Sequence, residues 1–176
     1  IKCLKVQKII YIMDMKNIFL ISFTALALLS CNDKKDDSTK TEQKAPTTEV
    51  KISNHIVLKA GDDMRFDQTE FTVKAGEEVT LILMNSGEMS KAAMGHNFVL
   101  LQAGVDGSSF ASSAASSKAT EYIPTELKNQ IIAHTKLLGG KENDQIKFTL
   151  EAGTYEFLCS FPGHYGSMNG KINAVK

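Results

Sequence analysis

From Val50 onward the apolar residues recur mostly at every second position, in short runs broken by Gly, Asn, Asp and Ser. A period of two puts successive side chains on opposite faces of an extended chain, so each run has one face for a core and one for water. The runs begin with Val50 and Ile52, then Ile56 and Leu58, then Glu70 to Val73. Glu78 to Asn85 (EVTLILMN), His96 to Leu101 (HNFVLL), Ile131 to Leu138 (IIAHTKLL) and Gln145 to Leu150 (QIKFTL) follow. Thr154 to Cys159 and Lys171 to Val175 close the series. About eight short strands with turn residues between them predict an all-β domain over residues 50–176, a sandwich or barrel of antiparallel strands. Ala103 to Gln130 breaks the rhythm. It is rich in Ala and Ser and poor in β-branched residues, so it reads as an insertion with a short helix near Phe110 to Lys118.

The N-terminal part has a different character. MKNIFLISFTALALLSC (Met15 to Cys31) has a lysine, an apolar run too short to span a bilayer comfortably, a small residue and then a cysteine. That is the layout of an export signal. Its end, Leu28-Leu29-Ser30-Cys31, resembles a bacterial lipobox, in which the cysteine becomes the lipidated first residue of the mature protein. An ordinary signal that ends near a cysteine is the alternative. Residues 15–30 are therefore read as a lipoprotein signal peptide and residues 1–14 as an upstream extension. Residues 31–49 lack any large apolar side chain before Val50 and read as a flexible tether. The expected location is the bacterial cell envelope, as a periplasm-facing or surface lipoprotein held through Cys31.

The chain has 20 basic and 20 acidic residues. Neither the balance nor any basic run points to nucleic acid. Its three cysteines are Cys3, Cys31 and Cys159. With Cys31 assigned to the anchor, Cys159 has no disulfide partner in the mature chain, and an unpaired cysteine in an exported protein needs another explanation.

CSFPGHYGSMNG (Cys159 to Gly170) supplies one. A thiol (Cys159), an imidazole (His164) and a thioether (Met168) hang from one loop containing Pro162, Gly163 and Gly166. Upstream, His96 opens another strand. Each residue alone has a bland reading as packing. Together, two imidazoles, a thiolate and a weak thioether are the donor set of a blue-copper electron-transfer site. Such donors accept both Cu(I) and Cu(II), so little has to move when an electron arrives. A Cys159–His164 nucleophilic pair is the enzyme reading, and it lacks an orienting group and an oxyanion pocket. His55 and His134 are assigned no ligand role.

Cys-x4-His-x3-Met in CSFPGHYGSM, with MGHN upstream, resembles the azurins of the cupredoxin family. IIAHTKLL followed by a Gly-rich turn and QIKFTL, and GDDMRFDQTEFTV (Gly61 to Val73), extend the likeness over most of residues 50–176. The resemblance implies a Greek-key cupredoxin fold and one type 1 copper. His96, Cys159 and His164 would be equatorial ligands, Met168 axial, and the Gly95 carbonyl would lie on the opposite axial side. Asn97 would hydrogen-bond the segment around Ser160. Phe161, Met64, Met94, Pro162 and Gly163 would form an apolar collar where partners dock, with the ring edge of His164 near the surface. The chain departs from the azurin pattern in having no disulfide, Phe98 after MGHN where azurins have a tryptophan, and neither His nor Pro in NSGEMSKAA.

The expected function is one-electron transfer, with copper storage or delivery as the alternative. An oxidase or nitrite reductase needs a second copper centre, and the chain has only four histidines. The expected partners are redox proteins such as c-type cytochromes or a copper or haem reductase or oxidase. No small-molecule substrate is expected, and the membrane enters through the lipid anchor only.

Overall fold

The computed structural model describes residues 51–176. The upstream extension, the signal peptide, the lipidation site Cys31 and the tether lie outside the described residues. Eight strands form two sheets. One contains β1 (His55–Ala60), β3 (Glu78–Asn85) and β6 (Asn143–Thr149), in the order β1-β3-β6. The other contains β2 (Glu70–Lys74), β4 (Val99–Leu101), β5 (Ile131–His134), β7 (Gly153–Leu158) and β8 (Asn169–Val175), in the order β2-β8-β7-β4-β5. Two short helices, α1 (Lys91–Met94) and α2 (Gly107–Ala114), interrupt the strands.

The sandwich expectation holds; the barrel alternative does not, because the strands divide into two separate sheets. The pairing is also not purely antiparallel. β1 runs parallel to β3, and β2 runs parallel to β8. Alternation tells which face a residue takes but not which strand lies beside it, so this mixture was not visible in the sequence.

The main core lies between the sheets and follows the period of two. Ile56 and Leu58 of β1 lie beside Leu81 and Leu83 of β3 in register, and with Ala60 and Val79 they enter this core. Phe157 stacks on Phe98 at 5.1 Å, with Phe66 at 5.7 Å and Phe71 at 5.8 Å. The same parity that sends Tyr155 and Phe157 inward sends Cys159 inward, and the parity of Phe98 and Leu100 sends His96 inward.

The intervening residues Val99, Leu101 and Leu158 face a second core. There they meet Phe110, Ala114 and Ile123 of the insertion. β4 is thus covered on both faces, which is why FVLL is continuously apolar. Helix α2 starts three residues before the expected Phe110 and ends at Ala114. Asp106 fixes its start by accepting a hydrogen bond from the Ser109 N–H at 2.7 Å. Lys118–Thr120, expected to border that helix, is a separate 3-10 turn.

Two expected strands are shorter than the apolar runs. The run from His96 forms ladder only from Val99, and the run from Ile131 stops at His134. Side chains have taken over the ladder's work there. The Phe98 N–H donates to Thr135 Oγ1 at 3.0 Å, and the Leu137 N–H donates to the Glu121 carboxylate at 3.1 Å. His96 keeps one bridge, to Leu138.

Candidate metal centre

The loop after β7 is tied into a closed turn by its own backbone. The Cys159 N–H donates to the Met168 carbonyl at 2.9 Å, and the Met168 N–H to the His164 carbonyl at 2.9 Å. The His164 N–H donates to the Phe161 carbonyl at 3.1 Å. Cys159 and Met168, at the two ends of this turn, are therefore neighbours. Gly163 adopts φ +84, a left-handed conformation that suits glycine.

This turn meets the segment Gly95-His96-Asn97. One potential donor atom each from His96, Cys159 and His164 lies within 4.8 Å of the others. Cys159 Sγ is 3.6 Å from His164 Nδ1, and the two imidazole centroids are 5.0 Å apart. His96 and Cys159 are fully buried and His164 is 3% exposed. Met168 is fully buried in the same core as Cys159. His55 and His134 are exposed and stand apart from this cluster.

One atom bears on what the cluster could hold. His96 Nε2 is engaged with the Gly61 carbonyl at 3.0 Å, while His96 Nδ1 is buried with no hydrogen-bond partner. It is the only buried side-chain nitrogen or oxygen of that kind among the described residues. A buried polar atom without a partner costs about 1–3 kcal/mol, and a metal ion would give it one. The Gly61 contact fixes the ring by holding its far nitrogen.

Burial also sets the charge of the donors. It pushes the Cys159 thiol up to about 11, with the Asn97 and Phe161 backbone groups opposing in part. Burial, and then the neighbouring His96, push His164 down to about 4. Burial likewise lowers His96, against the Gly61 carbonyl and the charges of Asp62 and Asp63. The histidines are thus neutral and ready to donate a lone pair at neutral pH. A cation that takes the thiolate displaces its proton. Two nitrogens and one sulfur without a carboxylate fit copper far better than Mg or Ca.

The surroundings hold the two ligand-bearing segments together. Asn97 Oδ1 accepts from the Ser160 N–H at 2.8 Å, and Asn97 Nδ2 donates to Ser160 Oγ at 2.8 Å. Gly95 is buried, and a Cβ there would lie 2.6 Å from the Lys91 carbonyl oxygen and 2.9 Å from Leu137 Cγ. Only a glycine lets those groups close on this segment.

The expected collar residues lie on two loops and at the end of α1. Phe161 is half-buried, its ring 4.6 Å from that of His164, and Pro162 and Gly163 are exposed. Met64 is 39% exposed, and its carbonyl accepts from Ser167 Oγ at 2.7 Å, tying its loop to the ligand turn. Met94 is half-buried at the end of α1. His164 itself is only 3% exposed.

Sequence reasoning gave no role to Gly61, Thr135, Glu121 or Tyr122. Ser160 Oγ donates to the Tyr122 carbonyl at 2.8 Å, and the Tyr122 ring meets Phe161 edge-on at 5.1 Å. Glu121 and Tyr122 have φ +54 and +63. Each costs about 1–3 kcal/mol as a non-glycine residue and persists only where its surroundings enforce it. No glycine or asparagine marked this corner in the sequence.

Comparison with known proteins agrees with the geometry. The profile of copper binding proteins of the plastocyanin/azurin family matches residues 52–175. The chain is 37% identical to azurin-1 of Alcaligenes xylosoxydans xylosoxydans over 126 residues, covering 68% of this chain and 96% of that protein. It is 35% identical to outer membrane protein H.8 of Neisseria gonorrhoeae, over 67% of this chain and 66% of that one. In structure it is similar to dithionite-reduced auracyanin from the photosynthetic bacterium Roseiflexus castenholzii. There the identity is 30% and the TM-score 0.65, over 72% of this chain and 100% of the other.

Proposed function

The chain belongs to the plastocyanin/azurin family of copper-binding proteins, and from that premise we propose that it carries single electrons between redox proteins of the cell envelope. Copper, when bound, supplies one-electron chemistry between Cu(I) and Cu(II). His96 Nδ1, Cys159 Sγ and His164 Nδ1 would hold the copper, with the Met168 thioether and the Gly95 carbonyl as further, weaker donors. The observation that carries the reading is the buried, partnerless His96 Nδ1 beside a buried thiol and a second imidazole.

The chain's own residues do three things in this reading. The turn Cys159–Met168 presents three donors in one rigid unit. Asn97 and Ser160 lock that unit to His96, so the donors keep their places when the charge changes. The collar of Met64, Met94, Phe161, Pro162 and Gly163 keeps water from the centre and offers an apolar surface for brief docking. Electrons would pass through His164, which lies directly beneath it. Donors this enclosed favour a carrier over copper storage or delivery, which needs ligands that a recipient can reach. They also leave no open position for a substrate, so we read the protein as a carrier and not an enzyme.

The expected partners are c-type cytochromes or a copper or haem reductase or oxidase. Lipidation at Cys31 and the tether 31–49 would hold the domain within reach of a membrane, and the similarity to a protein named for the outer membrane supports an envelope location. Titrating the purified protein with Cu(II) tests the copper reading. An intense blue band saturating at one copper per chain is expected. A weak band, or copper bound without one, would count against thiolate ligation.

Met168→Leu is expected to keep copper and raise the reduction potential. The thioether is a weak donor that helps Cu(II) more than Cu(I), and leucine fills its volume without donating. Voltammetry of the variant checks this; an unchanged potential would remove Met168 from the donor set.

A further inference from the structure

The corner Glu121-Tyr122, within the insertion, touches both segments that carry the donors. Tyr122 reaches the Cys159 side. Its carbonyl accepts from Ser160 Oγ at 2.8 Å, and its buried ring meets Phe161 edge-on at 5.1 Å. Its own N–H donates to the Ser117 carbonyl at 2.9 Å, anchoring it to the insertion. Glu121 reaches the His96 side. Its carboxylate accepts from the Leu137 N–H at 3.1 Å, and Leu137 packs against Gly95. Its carbonyl faces Asn97 Nδ2 at 3.5 Å.

These are different kinds of grip on different segments, yet they issue from two adjacent residues. Both residues are held at positive φ, where side chains such as theirs are disfavoured. A right-handed backbone at either position would redirect the Tyr122 carbonyl and ring away from Ser160 and Phe161. The unfavourable conformation is thus what brings both grips to bear at once.

We propose that the Glu121–Tyr122 corner is a positioning device for the copper donors, fixing the separation of the Gly95–Asn97 and Cys159–Phe161 segments and so the affinity and electronic character of the centre. This rests on the reading that His96, Cys159 and His164 hold copper. Neither residue touches the donors' lone pairs, so both act through Ser160, Phe161, Asn97 and Leu137.

The test compares Tyr122→Ala and Glu121→Ala with Tyr122→Phe and Glu121→Gln in the copper-loaded protein. Copper affinity is read by chelator competition, the centre by electron paramagnetic resonance and visible absorption, and its potential by voltammetry. Thermal unfolding of the copper-free proteins is measured alongside. Each alanine variant is expected to lose about 10-fold or more in copper affinity, the scale typical of groups that orient metal ligands. Its copper hyperfine splitting and potential should shift as well. Phenylalanine keeps the ring and glutamine keeps an acceptor for Leu137, so both conservative variants should match wild type. Alanine variants with wild-type affinity, spectra and potential, and only a lower unfolding temperature, would overturn the proposal. If Tyr122→Ala does not fold, Tyr122→Leu keeps apolar bulk without the edge-on contact; a wild-type spectrum there overturns the proposal too. Failure of the copper reading itself would show first, as a wild-type protein with no blue centre, and would take this proposal with it.

Discussion

Cys159→Ser is expected to abolish the blue absorption entirely while leaving the domain folded. The intense band of a blue copper site depends on the thiolate, and no other cysteine is present in the described residues to replace it. Serine is slightly smaller and still polar. Its oxygen inherits the backbone groups of Asn97 and Phe161 that now face the sulfur. The cost to stability should therefore stay near about 1 kcal/mol, the net worth of one ordinary hydrogen bond. Visible absorption after copper loading, paired with denaturant unfolding of the copper-free variant, separates the two effects. A blue variant would rule out thiolate ligation.

Phe157→Ala should have the largest effect on the fold. Phe157 is fully buried two residues before Cys159 and lies against Phe98, Phe66 and Phe71. Truncating such a ring removes its transfer free energy and leaves a cavity that three other rings cannot close. The expected loss is about 3–5 kcal/mol. Domains of this size are stable by about 5–15 kcal/mol, so a large share of the margin would go. Urea unfolding of the copper-free protein measures it. A loss under about 1 kcal/mol would mean that the aromatic cluster repacks and is not the centre of the core.

The legible part of this protein was whatever depends on the period of two and on donor chemistry. EVTLILMN is β3 at its full length, because every second residue enters the core and nothing local competes. The cysteine, histidines and methionine could be singled out because their chemistry is rare in combination. Much of what escaped was decided by contacts distant in sequence. The runs beginning at His96 and ending at Leu138 lose ladder because Thr135 and Glu121 supply side-chain partners to Phe98 and Leu137. The start of α2 at Gly107 follows from Asp106, a capping residue that the sequence did display and that composition alone passed over. Short α1 carries too little pattern to be seen. The corner at Glu121 and Tyr122 is the opposite of a sequence signal, since neither residue favours the conformation it adopts.

The parallel pairing of β2 with β8 bears on when the protein can come together. Apart from a single bridge between Thr72 and Ile52, β2 pairs with β8, yet the two are roughly 100 residues apart along the chain, and closing so long a loop is entropically costly before any contact rewards it. As the polypeptide is made from its N-terminus, β2 waits for its partner strand until almost all of the domain has been synthesised. The loop bearing Cys159, His164 and Met168 immediately precedes β8 and is equally late. The metal pocket therefore cannot assemble until nearly the whole domain has been made. Copper uptake belongs after folding, and an unpaired β2 edge is the liability that a chaperone would need to shield in the interval.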